Sequence, residues 1–343
     1  MVQAGDAPLN GARESCRASS RLRTLMTDMT QQRLVILAPS PVLTVTIEEH
    51  PDGPDVHVHA GGQGVWQARM LRSLGAQVTL CSVLSGETGL VLGPLLGELG
   101  LQVSAVRRDA RGSAYVHDRR DGEREPIAEA GGEPFTRHDL DELYALTVRE
   151  ALAVDTVLLS GPAEDDLLPA EVYRRLAADL GGLGKRVIVD LAGERLQAAL
   201  EGGVALAKVS DEELERDGLI DGPGADADER DILRAMERMR ADGAEAVIVT
   251  RRSGTLLLDG DGARRVHGPE MEVVDSSGAG DSLTAATTLA LDRGDPLDEA
   301  VALGTAAGAL NVTRHGLGSG DGEAIHRLRE HVRVEPIERN GDD

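Results

Sequence analysis

The chain has 343 residues and a formal net charge of −23; 41% of its residues are hydrophobic and 1% are aromatic. This length allows one large α/β domain or two smaller ones, with a core built from Leu, Val and Ala. Nucleic acid binding needs clustered Lys and Arg, so the acidity excludes a nucleic-acid partner. No apolar run approaches the roughly 18 residues of a membrane span, so we expect no membrane partner. Cys16 and Cys81 are the only cysteines, which favours a reducing compartment, and we expect a cytoplasmic protein.

The N-terminal third is predicted to mix strands and helices. Residues 1–30 lack the long apolar segment of a secretory signal, so we expect a leader without fixed structure. "RLVILAPSPVLTVTIEE" (33–49) favours two strands around a Pro-containing turn, and "VHVHA" (56–60) favours an exposed strand. The following elements are predicted as helix 64–75, buried strand 77–85 and helix 87–99. Short strands through 101–128, with "RRDGER" as a hairpin turn, complete this part.

In the rest of the chain, predicted strands and helices alternate. Strands are predicted at "TVLLSG", "RVIVDLAG", "ALAKVS" and "AEAVIVT", and helices at 169–180, 194–201, 211–216 and 229–241. "TLLLDGDGARRVHG" has the Asp-Gly chemistry of a hairpin. Two helices are predicted to finish the fold, one beginning in "GAGD" and one capped by Asp295, with Pro296 at its first position, and running towards Arg314.

Alternating strands and helices predict a mostly parallel sheet with helices on both faces. The exposed early strands do not fit this sheet, and we predict that they form a small lid within about 44–60 and 101–128. The predicted organisation is one domain over 31–337 and a short tail over 338–343. A homodimer through the lid is expected from the exposed "VHVHA" strand.

"DSSGAGDSLTAATT" (275–288) carries the clearest functional pattern. It places a glycine-rich turn after a predicted strand and at the start of a helix, where unpaired amides and the helix dipole bind anions. Glycines let the backbone approach a phosphate. Asp281 is then placed to accept a proton from an attacking hydroxyl, while the amides of Ala279 and Gly280 meet the developing charge. Taken alone, "GAGD" favours the simpler interpretation of a tight turn followed by an acid that complements the helix dipole.

This segment resembles the C-terminal signature of the ribokinase-like carbohydrate kinases, the phosphofructokinase B family. "AGGQGVWQARMLRSLGAQVTL" (60–80) resembles the N-terminal Gly-Gly signature of that family. "SGP" (160–162), "VIVDLAGERLQAALEGG" (187–203), "AKVSDEEL" (207–214) and "AAGALNVTRHGLG" (306–318) follow in the order of the sugar-phosphate branch, which includes 1-phosphofructokinase and tagatose-6-phosphate kinase. The resemblance covers roughly residues 33–337. It implies an α/β, ribokinase-like three-layer sandwich with a mostly parallel central sheet and a small β lid.

The resemblance also implies site residues, with ATP and Mg²⁺ as cofactors. Asp281 would be the catalytic base, and Gly278, Ala279 and Gly280 would form the anion hole. Glu213 would organise magnesium through water. The nucleotide side would comprise Lys208, Ser210, Glu213, Thr250, Gly254, Gly316 and Gly318, and the acceptor side Gly61, Gly62, Gln63, Trp66, Arg111 and Ser160. Alternatively, Lys208 is a solvated strand-end lysine, Arg111 an ordinary surface arginine and Trp66 a packing residue.

The departures from the family pattern cluster on the acceptor side. Gln63 replaces a lysine, Trp66 replaces an asparagine that contacts sugar hydroxyls, and Val42 stands where the branch has an aspartate. Ser210 replaces the asparagine of Asn-x-x-Glu. Removing hydroxyl-binding groups and adding an indole makes the pocket drier.

Three hypotheses follow. The first is ATP-dependent phosphorylation of a sugar or sugar-phosphate hydroxyl, as in 1-phosphofructokinase. The second is a non-catalytic homologue that senses a metabolite. The third is a kinase for a nucleoside or another ring-bearing acceptor.

Overall fold

A ten-stranded sheet, in the order β14-β13-β12-β11-β10-β9-β8-β1-β4-β5, dominates the fold. The structure is a computed structural model that describes residues 32–222, 227–313 and 318–338. The large sheet contains β1 (Arg33–Leu37), β4 (Gln77–Ser85), β5 (Gln102–Arg108), β8 (Thr156–Ser160), β9 (Arg186–Asp190), β10 (Val204–Ser210), β11 (Ala244–Arg251), β12 (Gly254–Asp259), β13 (Gly262–His267) and β14 (Arg333–Pro336). The seven strands from β5 to β11 in this order pair in parallel, and β11 to β14 pair antiparallel.

Helices cover both faces of this sheet. The described helices are α1 (Gln63–Ser73), α2 (Gly86–Glu98), α3 (Arg137–Ala151), α4 (Ala170–Gly182), α5 (Gly193–Gly202), α6 (Asp211–Arg216), α7 (Glu229–Ala241), α8 (Ala279–Asp292), α9 (Leu297–Asn311) and α10 (Gly322–Arg329). Alternate strand residues enter different cores because successive side chains point to opposite faces. Val35 and Leu37 pack into one core, and Leu34 and Ile36 pack into the other. The result is the predicted three-layer arrangement.

A separate four-stranded sheet, in the order β3-β2-β6-β7, is formed by β2 (Val42–Glu48), β3 (Asp55–Gly61), β6 (Ala114–Asp118) and β7 (Glu125–Ala130). We call this sheet the lid. The prediction that the strands through 101–128 all belong to it was wrong for β5, which pairs in parallel with β4. As an edge strand β5 has one accessible side, so its mixed polar pattern looked like that of a lid strand.

The helix predictions need three corrections. Helix α3 was not predicted, because few of its side chains, among them Leu143 and Ala151, are buried. The cap of α9 is Pro296, whose carbonyl accepts a hydrogen bond from Ala300 N at 2.9 Å; the predicted cap Asp295 precedes it. Helix α10 and strand β14 follow the two helices that were expected to end the fold.

The predicted leader lies outside the described residues, as does most of the predicted tail. In the described ranges, no helix combines the length and apolar character needed to cross a membrane.

Candidate active site

Helix α8 begins at the partly buried residues Ala279 and Gly280 and is buried from Asp281 onward. Its first turns contact Lys208 and Asp190, at the carboxyl ends of two parallel strands. Its N-cap Gly278 has a left-handed φ of 72°, a conformation that glycine adopts without strain. Every residue from 281 to 290 is buried, and this is sterically feasible because most of them are small. Gly304 and Gly308 of α9 lie so close to α8 that an added Cβ would meet Thr287 or Ala279. The small-residue run after "GAGD" therefore lets α8 bring its N-terminus to the sheet.

The first turn of α8 offers backbone N–H groups to an anion. The N–H of Ala279 donates to Ser276 O at 3.3 Å. In the described part of the chain, the N–H groups of Gly280 and Asp281 have no acceptor, as expected at a helix start. The helix dipole adds positive potential at the same point. The turn therefore offers the N–H groups of Gly280 and Asp281 to an anion. The pair named from the sequence was Ala279 and Gly280, one residue earlier.

Asp281 is a buried carboxyl group with 9% exposure. Burial, followed by the neighbouring Asp190 carboxylate, raises its pKa to about 8, against the opposing effects of Lys208 and a hydrogen bond from Gln63. A carboxyl with a pKa near neutrality can hold or release a proton under ordinary conditions. Asp281 thus has the acid–base character that a proton acceptor requires.

Lys208 forms a buried ion pair with Asp190. Its Nζ lies 3.1 Å from Asp190 Oδ1, and the two side chains are 8% and 1% exposed. Burial lowers the pKa of Lys208, but the Asp190, Glu213 and Asp281 carboxylates outweigh burial and raise it. A Cβ added at Gly280 would lie 2.8 Å from Nζ. The interpretation of Lys208 as a solvated lysine was therefore wrong, because its ammonium lies against the glycine-rich turn.

Asp190 is the site residue that the sequence analysis missed. Its Oδ2 accepts hydrogen bonds from Gln67 Nε2 at 3.0 Å and from Thr284 Oγ1 at 2.7 Å. Two signals in the sequence could have indicated it. Asp190 is a charged residue at the end of the apolar strand "RVIVD", and Gln67 and Thr284 lie at helical spacing from Gln63 and Asp281. Asp190 joins β9, β10, α1 and α8 in one polar network.

Glu213 lies at the start of α6, where it forms a capping box with Ser210. Its Oε2 accepts from Ser210 N at 2.7 Å and from Ser210 Oγ at 2.9 Å, and its own N–H donates to Ser210 Oγ at 3.2 Å. The Glu213 carboxylate is near enough to Lys208 and Asp281 to affect their pKa values. In the ranges that the structure describes, no group of three or more His, Cys, Asp or Glu side chains could hold a metal by itself.

Gln63 connects this network to the acceptor side. Its Oε1 accepts from Gly161 N at 2.8 Å, and its amide is hydrogen-bonded to Asp281. The predicted Ser160 is buried, and its hydroxyl donates to Gln67 rather than facing a ligand. Gly61 and Gly62 precede α1, and Gly62 has a φ of 102° that suits glycine.

A cleft of about 1090 Å³ opens between the lid and α1. Val42, Gln63 and Trp66 line it, so three of the four departures from the family pattern lie together, and Ser210 lies apart from them. Gly318 packs against the backbone of Trp66 with no room for a side chain. Asn311 holds this contact beside the glycine-rich turn, since its Oδ1 accepts from Gly318 N and its Nδ2 donates to Ser277 O.

Three of the described predicted residues lie neither in the polar network around Asp190 nor in the lining of the cleft. Thr250 pairs with Ser210 at the ends of β11 and β10, and Gly254 starts β12 with a φ of 131°. Arg111 is exposed, and its Nε donates to Gly131 O at 2.9 Å; it is not among the cleft-lining residues. Gly316 lies outside the described residues.

Comparison with known proteins identifies the chain's family. The sequence pattern of the family described as "pfkB family carbohydrate kinase" matches residues 40–323. The chain belongs to this family. It is 26% identical to 1-phosphofructokinase of Vibrio cholerae over 82% of this chain and 87% of that protein. It is 28% identical to ATP-dependent 6-phosphofructokinase isozyme 2 of Mycobacterium tuberculosis over 91% and 93% of the two chains. Phosphofructokinase-2 of Escherichia coli, solved in complex with potassium, matches with a TM-score of 0.73 and 25% identity over 88% of this chain and 98% of that chain.

As a member of the pfkB family, the chain is an ATP-dependent sugar kinase, with ATP as a substrate. The predicted family and the predicted ribokinase-like α/β fold are confirmed. The hypothesis of a non-catalytic sensor is thereby set aside. The roles of individual site residues stay predictions.

Proposed function

We propose that this kinase transfers the γ-phosphoryl group of ATP to a hydroxyl of a phosphorylated sugar. The main support for this proposal is that Asp281 is a buried carboxyl group at the N-terminus of α8 and that its pKa is raised to about 8. The names of the relatives, 1-phosphofructokinase and 6-phosphofructokinase, support a sugar phosphate as the acceptor. They do not agree on which hydroxyl is phosphorylated, and the choice depends on how the cleft orients the sugar.

In this proposal Asp281 accepts the hydroxyl proton as the oxygen attacks the phosphoryl group. A base works best when its pKa lies near the operating pH, as the pKa of Asp281 does. Gln63 acts as a positioning residue, since it is fixed by Gly161 N and holds the Asp281 carboxylate. The N–H groups of Gly280 and Asp281, with Lys208, stabilise the negative charge of the transferring group.

The carboxylate of Glu213 would help to hold Mg²⁺ through water, whereas both oxygens of Asp190 are already occupied by Lys208, Gln67 and Thr284. Magnesium in phosphoryl-transfer sites is bound by one or two carboxylates together with substrate phosphates and water. The described residues fit that pattern, because they provide carboxylates beside the anion-binding turn without a complete protein cage. When bound, the ion would offset charge on the phosphates of ATP.

Trp66 favours a second candidate within the kinase class. Its side chain is half-buried and lines the cleft beside Val42, where a flat ring could stack on the indole. A nucleoside or another ring-bearing acceptor would then replace the sugar phosphate while the phosphoryl-transfer residues keep their roles.

Acceptor-dependent ADP release tests the proposal. The protein is assayed with Mg²⁺ and ATP against sugars, sugar phosphates and nucleosides. We expect turnover with a sugar phosphate and its loss in Asp281→Asn, whereas Asp295→Asn, at an exposed position before α9, should keep it. Turnover with nucleosides alone would establish the second candidate. If none of the acceptors in the panel is phosphorylated, both candidates are contradicted.

We also propose that the lid mediates a homodimer. It exposes Val56, Val58 and Ile127 at 57%, 45% and 55%, and β3 is an edge strand with unpaired backbone groups. Light scattering of Val56→Asp should then report monomers. A monomeric wild-type protein would contradict the proposal.

A further inference from the structure

The inner face of the lid is polar along three neighbouring strands. Thr44 of β2 lies between His59 of β3 and Tyr115 of β6. One step along, Thr46 lies between His57 and His117. Residues two apart in a strand share a face, and the whole set lines the cleft. The lid therefore offers hydrogen-bonding groups to whatever enters the cleft.

Cations concentrate around this face in a chain whose net charge is −23. Arg69 of α1 and Arg119 and Arg124 of the β6–β7 hairpin line the same cleft. Arg119 and Arg124 approach one shared carboxylate, Asp275, at 3.7 and 3.5 Å. The acids that line the cleft are Glu48, Glu98, Glu129 and Glu164. Of these, Glu48 lies 3.7 Å from His57, and Glu164 accepts from Ser113 Oγ at 3.0 Å.

The local potential is positive at the histidines. Burial, then Arg124, Arg119 and His59, lower the pKa of His117 to about 4. Burial and then Arg69 lower the pKa of His59. The acids of the cleft do not cancel the arginines at these two rings, so an anion would be attracted there.

Several polar atoms of this cluster have no hydrogen-bond partner in the part of the chain that the structure describes. His117 is 2% exposed; its Nε2 contacts Thr46 Oγ1 at 3.1 Å, and its Nδ1 is buried without a hydrogen-bond partner. Arg124 Nε is likewise buried and unpartnered. Within residues 32–222, 227–313 and 318–338, the Arg69 guanidinium forms no hydrogen bond or ion pair. Buried polar groups are normally paired, so these atoms together indicate a missing hydrogen-bonding partner.

We propose that Arg69, Arg124 and His117 bind the phosphate group of the acceptor substrate, and this rests on the proposed function. Guanidinium groups bind phosphate in bidentate fashion. Arg111, the residue expected from the sequence, is instead bonded to Gly131 O and does not line the cleft. Gln63, Trp66 and Arg69 follow one another along α1, and six residues of helix span roughly 9 Å. This span suits a hexose monophosphate whose hydroxyl meets Asp281 and whose phosphate meets Arg69.

Trp66 fluorescence provides the test, because Trp66 is the only tryptophan and lines the cleft. The full chain is titrated with inorganic phosphate and with fructose 6-phosphate, without ATP or Mg²⁺ and at fixed ionic strength. A saturable change is expected. Arg69→Gln and Arg124→Gln should each weaken binding about tenfold or more, the usual effect of losing a charge-assisted hydrogen bond. Arg120→Gln is the matched control, since Arg120 lies in the same hairpin but pairs with Asp118.

Arg124→Lys, which keeps the charge and loses the fork geometry, should bind with intermediate strength and covers the case in which Arg124→Gln does not fold. In a second experiment, the titration with fructose 6-phosphate is repeated in the presence of a non-hydrolysable ATP analogue. If the analogue abolishes the response to fructose 6-phosphate, the cluster binds nucleotide phosphate and the inference is wrong. It is also overturned if Arg111→Gln loses the response while Arg69→Gln and Arg124→Gln keep it, or if phosphate gives no saturable response. All of these measurements report binding and need no catalytic turnover. Their failure can therefore be distinguished from a failure of the proposed role of Asp281.

Discussion

Lys208 and Asp190 form an ion pair of 3.1 Å that is almost closed to solvent. The pair lies directly below the glycine-rich turn, since Lys208 Nζ would be 2.8 Å from a Cβ at Gly280. Two further donors, Gln67 and Thr284, saturate the second oxygen of Asp190. The pair therefore fixes where positive charge stands relative to Asp281.

Removing one partner of this pair should be costly. Lys208→Met leaves the Asp190 carboxylate buried without its counterion, and we expect the free energy of unfolding to fall by about 3–5 kcal/mol. Urea unfolding measures the change, with Lys185→Met, outside the site, as the control. The double variant Lys208→Met, Asp190→Asn should recover part of the loss. If it recovers none, the ion pair is not the source of the effect.

Asp281 should make stability depend on pH. Its pKa in the folded chain is about 8, above the ordinary 3.8. Its contribution to stability is therefore fully present below about pH 4 and is lost as pH rises towards and through about 8. Asp281→Asn removes this loss, so its melting temperature relative to wild type should rise between pH 5 and pH 8. A difference in melting temperature that is constant with pH would contradict the raised pKa.

Gly280 should tolerate no side chain. In Gly280→Ala the new Cβ would displace Lys208 Nζ, and a displacement of about 1 Å near the chemistry can lower the rate about 100-fold. Steady-state kinetics measures this effect. Gly97→Ala in α2, where an added Cβ meets nothing within 4 Å, is the control and should keep full activity. Equal activities of the two variants would argue against a role for the turn.

Gln63→Lys should change the pH profile. A cation beside Asp281 favours the carboxylate and lowers its pKa, so the acid limb of kcat/KM should move to lower pH. The variant also loses the acceptor for Gly161 N, which should raise KM. A profile that keeps its acid limb near pH 8 would show that Gln63 does not act on Asp281.

The sequence predicted most of the fold because its local signals agree with the tertiary structure. The alternation of apolar strands and helices after residue 150 leads directly to the parallel sheet. Edge elements were harder to predict. Strand β5 and helix α3 each expose one side, so their patterns were ambiguous, although the capping box of Thr136 and Asp139 marks the start of α3.

The site was predictable only where one short segment carries it. "DSSGAGDS" contains the helix start and Asp281, and both lie where the pattern placed them. The strand predicted just before this turn was wrong, because β13 ends at His267 and residues 268–276 form no strand. Asp190, Gln67 and Thr284 come from three distant segments, and only the folded chain reveals that they meet. The same holds for Arg69, Arg124 and His117, whose significance depends on burial and on missing partners.

The most direct test of the account compares acceptor-dependent ADP release by wild-type protein and Asp281→Asn at saturating Mg²⁺ and ATP. A base contributes about 10²–10⁴-fold to such a step, so kcat should fall by that factor while Trp66 fluorescence still reports sugar-phosphate binding. An Asp281→Asn variant that phosphorylates the same acceptor at the wild-type rate would contradict the central claim.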